Sequence, residues 1–294
     1  MKRTNILLTF ICAALAPSIA LALPSEKKSQ ILATDDHQNI ARTLELPDGL
    51  PDRDVANLAD GSICLDGGIQ CLAMSYQDPD AIAILVQDRG FGKSSPNASL
   101  SVPLKSNFDE NSTVRLWDNY IARDKDQNSR GPDYIIGVVA SVSETYSGGC
   151  AGSSVLYLYD LQGVGTKYPT AREILAVPFD GEKTIRACFS EKDVKNRKGA
   201  CHDIYEFMGR ITLAPTTHDT WPVLNYSAKA TAYPRGVNLD TDNSARIMTS
   251  ADLVSETDTD CTYSRTAHYN PLTARYEFAE ASPDCREYLV RYGE

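Results

Sequence analysis

From about Gly61 onward the chain alternates short apolar runs, rich in Val, Ile, Tyr and Thr, with clusters of Gly, Pro, Asn and Asp. Runs of this length and composition, bounded by turn residues, predict strands rather than helices. The clearest are 81–87, 113–117, 134–146, 154–159, 174–179, 184–189, 204–213, 223–233, 261–269 and 275–279. In the last two, Tyr263, Arg265, Ala267 and Tyr269 alternate with Thr262, Ser264, Thr266 and His268. Asn270-Pro271-Leu272-Thr273 then supplies turn chemistry before Tyr276 and Phe278, which predicts a hairpin. Helical signals in this region are few. Ser190-Glu191-Lys192-Asp193 opens like a capping box and predicts one short helix over 190–197.

These patterns define a mainly β chain with few short helices, arranged either as an irregular β-propeller-like fold or as a two-sheet β-sandwich. Cys150, Cys201 and Cys261 each precede a Tyr-containing strand, an echo compatible with blades. The same strands also satisfy two stacked sheets. Residues 61–294 are read as one all-β domain. Residues 23–60 form a polar amino-terminal extension with a single helical candidate at 36–44, where Ile40 and Leu44 make part of an apolar face.

Residues 1–22 read differently. Lys2 and Arg3 precede an apolar run from Ile6 to Leu15, and Ala20-Leu21-Ala22 supplies a small-x-small cleavage pattern. This predicts a signal peptide, and with it a periplasmic or secreted protein with no membrane span. Export changes the meaning of the cysteines, because an oxidising compartment makes disulfides the default. Pairing by sequence proximity joins Cys64 to Cys71, Cys188 to Cys201 and Cys261 to Cys285, the last clipping the open end of the predicted hairpin. Cys150, in the Gly-rich turn Ser147-Gly148-Gly149-Cys150, is left over as a candidate free thiol.

Charge narrows the partners. With 29 Lys and Arg against 39 Asp and Glu, the formal net charge is −10, which offers nothing to a phosphate backbone and excludes general nucleic-acid binding. Motifs for Ser hydrolases, zinc proteases, Walker loops and dinucleotide folds are absent from the sequence, and no cofactor is implied. Two acidic runs stand out, Asp240-Thr241-Asp242-Asn243 and Glu256-Thr257-Asp258-Thr259-Asp260. Asp240 and Asp242 resemble the start of a calcium loop, although the central Gly and terminal Glu of such a loop are missing. The expectation is a disulfide-stabilised exported binding protein that recognises a protein partner, such as a basic secreted enzyme acting on the cell wall or a toxin, and inhibits it. Catalysis is the less favoured reading; its form is a secreted hydrolase on a β scaffold, using dispersed carboxylates or Cys150.

Overall fold

The computed structural model describes residues 62–290, apart from 66–69, 79–80, 89–97, 105–111, 124–132, 165 and 215–220. The expected signal peptide, the polar extension and its helical candidate lie outside the described residues. What is described is a two-sheet, sandwich-like β architecture. Strands β1 (Ile63–Leu65), β2 (Gln70–Asp78), β3 (Ala81–Asp88) and β4 (Ala98–Pro103) form the smaller sheet. The larger contains β5 (Thr113–Arg123), β6 (Asp133–Tyr146), β7 (Gly149–Gln162), β8 (Thr170–Arg186), β9 (His202–Leu213), β10 (Leu224–Tyr233), β11 (Glu256–Asn270) and β12 (Arg275–Phe278). In both sheets spatial order follows chain order and all described neighbours are antiparallel. The described residues form no blades around an axis, so of the two expected architectures the sandwich is the one formed.

Strand β6 shows why two cores arise. Its successive side chains point to opposite faces, and both faces are apolar. Tyr134, Ile136, Val138 and Ala140 meet Leu72, Ile84 and Val102 of the smaller sheet, while Ile135 and Val139 join Trp117, Leu156 and Phe207 in a second core. On that second face Gly137 makes room for Trp117: a Cβ on residue 137 would lie 2.6 Å from the Trp117 Cβ.

The larger sheet bends at β8. The ladder with β7 runs the length of β8 but shifts register between Ser154–Asp180 and Val155–Pro178, leaving Phe179 as a bulge. On the other side β9 pairs with β8 only from Asp180 to Arg186. Pro178 has no N–H to give, and its carbonyl instead accepts the Tyr226 hydroxyl at 2.8 Å. The first half of β8 swings towards the far end of the sheet, where Arg275 of β12 pairs with Glu173 at 2.6 Å and Arg172 donates to the Tyr269 hydroxyl at 3.0 Å.

All three locally paired disulfides are present: Cys64–Cys71, Cys188–Cys201 and Cys261–Cys285. Cys64 stands directly opposite Cys71 in the β1–β2 ladder. Cys285 joins Cys261 inside β11 rather than at the strand's start, since β11 begins at Glu256. The expected short helix is α1 (Glu191–Asn196), capped by the Ser190 side chain, which accepts the Asp193 N–H.

Candidate functional site

Two long connections, 187–201 between β8 and β9 and 234–255 between β10 and β11, come together at one end of the larger sheet. Long connections in a compact domain are costly to order unless something fixes them. Here several things do. The Cys188–Cys201 bond closes the first connection at its base. Inside it, Arg197, entirely buried, ends α1 and sends its guanidinium in three directions: Nε to the Ala200 carbonyl at 2.8 Å, Nη1 to the Asn243 carbonyl and Nη2 to the Asp203 carboxylate. Burial pushes the Asp203 carboxyl up, against the pull of Arg197. The Met248 N–H donates to the Asn196 carbonyl at 2.8 Å, and Met248 itself is buried. One cation thus ties the helix to the second connection.

What these fixed loops present is apolar. Phe189 is 66% exposed and Ile247 is 78% exposed, with exposed Val194 on α1. Ile247 immediately precedes Met248, so the backbone bond to Asn196 brings it to the last turn of the helix. The Phe189 ring has the Arg186 guanidinium 5.4 Å from its centroid, and the Phe189 N–H is held by the Asp193 carboxylate at 3.0 Å. That bond and the Ser190 cap hold the Asp193 carboxyl below its usual range. The surrounding charges are mixed: Glu191, Asp240 and Asp242 on one hand, Lys192, Lys195 and Lys198 on the other.

The acidic runs singled out in the sequence are largely consumed by the fold. Asp242 Oδ1 accepts the Ser244 N–H at 2.9 Å, which lowers its carboxyl, and the Asp240 N–H is taken by Asn238. This is a self-bonded turn, and neither residue belongs to a cluster of three or more potential ligands among the described residues. In the second run Glu256 accepts the Gly236 N–H at 2.9 Å. Asp258 accepts from Asp260 and Cys261 through one oxygen and from the Tyr288 hydroxyl, at 2.7 Å, through the other. Asp258 does lie near Cys261 and Glu287. The Cys261 sulfur is in a disulfide and both Asp258 oxygens are engaged, so this trio is a poor metal cage.

Cys150 is disulfide-bonded, and the described residues contain no free cysteine. A sulfur held in an S–S bond is no thiolate and attacks nothing. Cys150 follows Gly149, where a Cβ would fall 1.7 Å from the Thr184 carbonyl, so the turn is set by close approach of β8. His202 and His268 both lie exposed on strands, and His37 and His218 lie outside the described residues.

Sequence reading missed a second polar cluster. Arg123, buried, pairs with Asp160 at 2.5 Å and reaches Asp133 at 3.5 Å, while Gln162 and Arg172 donate to the other Asp160 oxygen. The Arg123 guanidinium lies 3.7 Å from the Trp221 ring centroid, and Trp221 stacks in parallel on Tyr269 at 3.5 Å. Burial raises the Asp160 carboxyl, and Arg123, Gln162 and Arg172 draw it back. With both oxygens taken, Asp160 ties β5, β7 and β8 together, and Arg172 carries the link on to Tyr269 of β11, rather than Asp160 offering a proton to a substrate. The sequence hides the cluster because its members are scattered from Arg123 to Tyr269.

The fold and its fixed, apolar-tipped loops define a disulfide-bonded all-β protein of the sandwich-like class. No family model, curated protein or solved structure matches the chain.

Proposed function

We propose that the chain is an exported binding protein that recognises a protein partner through the two connections joined by Arg197. The observation that carries this is the exposure of Phe189 and Ile247 on backbone locked by a disulfide and a fully buried cation. An exposed aromatic on a mobile loop loses much of its contact energy to ordering; one already held in place does not. Aromatic and aliphatic anchors surrounded by polar residues match the usual anatomy of binding hot spots. Three disulfides between described residues suit an oxidising compartment, and no helix among the described residues is long and apolar enough to cross a membrane. The periplasm or the external medium is accordingly the proposed location. The net charge of −10 favours encounter with a basic protein, and inhibition of a cationic secreted enzyme or toxin is the proposed outcome.

The test is capture with the tagged chain from envelope and secreted proteins, run in parallel with Phe189→Ser and Ile247→Ser. The reading requires a stoichiometric partner whose capture weakens with salt and is lost in both variants while their melting temperatures stay close to wild type. A partner held equally by the variants contradicts it.

A further inference from the structure

A cleft of about 460 Å³ opens in the larger sheet away from the two fixed connections. Its walls are unusual in one respect. They are lined by successive residues, 119–121 of β5 on one side and 208–213 of β9 on the other, with Trp117, Phe179 and Asp180 between. A strand face would contribute every second residue. A run of consecutive ones means that the strand turns its backbone edge to the cleft.

Among the described residues neither edge has a strand partner there. β5 is the last strand of its sheet. β9 loses β8 beyond Met208, opposite Asp180, because the bulge at Phe179 carries β8 away. The polarity of the β9 edge follows from the ladder on its other side. Ala214 donates to the Val223 carbonyl of the chain leading into β10. Antiparallel pairing alternates, so Thr212 and Arg210 direct their N–H and C=O groups to β10, while Ile211 and Leu213 direct theirs to the cleft. Exposed strand edges are ordinarily blunted by Lys, Pro or a bulge. β5 carries such a bulge between Leu116 and Tyr120, but β9 has neither Lys nor Pro from Gly209 to Leu213.

We propose that this cleft accepts an extended segment of a partner protein as an added strand, paired to β9 at Ile211 and Leu213. Backbone groups of an extended polypeptide are the complement of an open edge, and the apolar lining of Trp117, Phe179 and Leu213 seats alternate apolar side chains. The charged lining residues, Asp180 and Arg210, offset each other. Selection by charge therefore falls to the chain as a whole, whose −10 favours a basic segment. The site is separate from the Phe189 and Ile247 surface, and each is tested without the other.

The probe is a capped peptide of alternating Lys and Val, compared with the same peptide N-methylated at every Val. Amide exchange of the full chain is followed by NMR. In the free chain the Ile211 and Leu213 amides exchange fast; the plain peptide slows them and leaves Arg210 and Thr212 unchanged. N-methylation, which removes the pairing N–H groups, weakens binding about tenfold or more. Leu213→Pro, which deletes an N–H the β10 ladder does not use, has the same effect, whereas Phe189→Ser has none. Equal affinity for the two peptides overturns the proposal. So does slow exchange of Ile211 and Leu213 in the free chain, which would mean that the chain already covers its own edge.

Discussion

Arg197 donates to Asp203 in a place where the two side chains are 0% and 3% exposed to solvent. A charge that deep is tolerated only because every direction of the guanidinium is answered: by Asp203, by the Ala200 carbonyl and by the Asn243 carbonyl. Removing one partner leaves the other charged and dry. Arg197→Ala is expected to lower stability by about 3–5 kcal/mol, measured by denaturant unfolding. Replacing the pair together, Arg197→Met with Asp203→Leu, is expected to recover most of that loss. The double variant still lacks the bond to Asn243, so amide exchange in 238–248 rises even where global stability returns.

Cys64–Cys71, Cys188–Cys201 and Cys261–Cys285 rank by the length of chain they close. Separations of 7, 13 and 24 residues correspond in the loop-entropy description to about 2.5, 3 and 3.5 kcal/mol. Melting temperatures of the paired Cys→Ser variants should fall in that order, with loss of Cys261–Cys285 the most damaging of these three. Loss of Cys188–Cys201 should in addition speed exchange within α1.

Gly137→Ala tests the seat of Trp117. The new Cβ would meet the Trp117 Cβ at 2.6 Å and the Leu156 Cδ1 at 2.9 Å, both well inside contact distance. An overpacked core of this kind costs about 1–3 kcal/mol. Near-ultraviolet circular dichroism should change with it, because the indole must move.

The response to acid separates two kinds of carboxylate. Asp252 accepts from the Thr249 N–H and hydroxyl, both at 2.8 Å, and these bonds hold its carboxyl below the usual carboxylate range. A lowered carboxylate contributes stability that is whole above the unfolded pKa and is lost as pH falls through the folded one. Asp252→Asn should therefore melt below wild type at neutral pH, with the gap closing once pH falls below the folded pKa. Asp160 is raised by burial, so its titration acts in the opposite direction: its contribution is present below the unfolded pKa and fades as pH rises through the folded one.

How much of this was legible in the sequence depended on how local the physics is. Strands such as β6 and β9 declare themselves by β-branched and aromatic residues, and the Ser190 cap and hairpin turn by their own chemistry. β2 was missed because Gln70–Asp78 contains no β-branched residue, and β4 because Ala98–Pro103 reads as a turn-rich stretch. Two expected strands, 174–179 and 184–189, proved to be halves of β8. Asp180-Gly181-Glu182 looks like a turn, yet it stays in register with β7, and Gly181 lets the Tyr288 carbonyl approach where a Cβ would sit 2.5 Å away. Neighbouring cysteines pair locally, so their bonds could be anticipated. Arg197 among lysines, and Arg123 with Asp160 and Trp221, could not, since long-range burial gives no periodic signal.

A hydrogen-exchange footprint of the chain, free and bound to its captured partner, tests whether the two connections joined by Arg197 form the binding surface. Slowed exchange is expected to concentrate in 187–201 and 234–255, with the Phe189 and Ile247 segments most affected. Protection confined to other parts of the sheets, or none in these two connections, would contradict it.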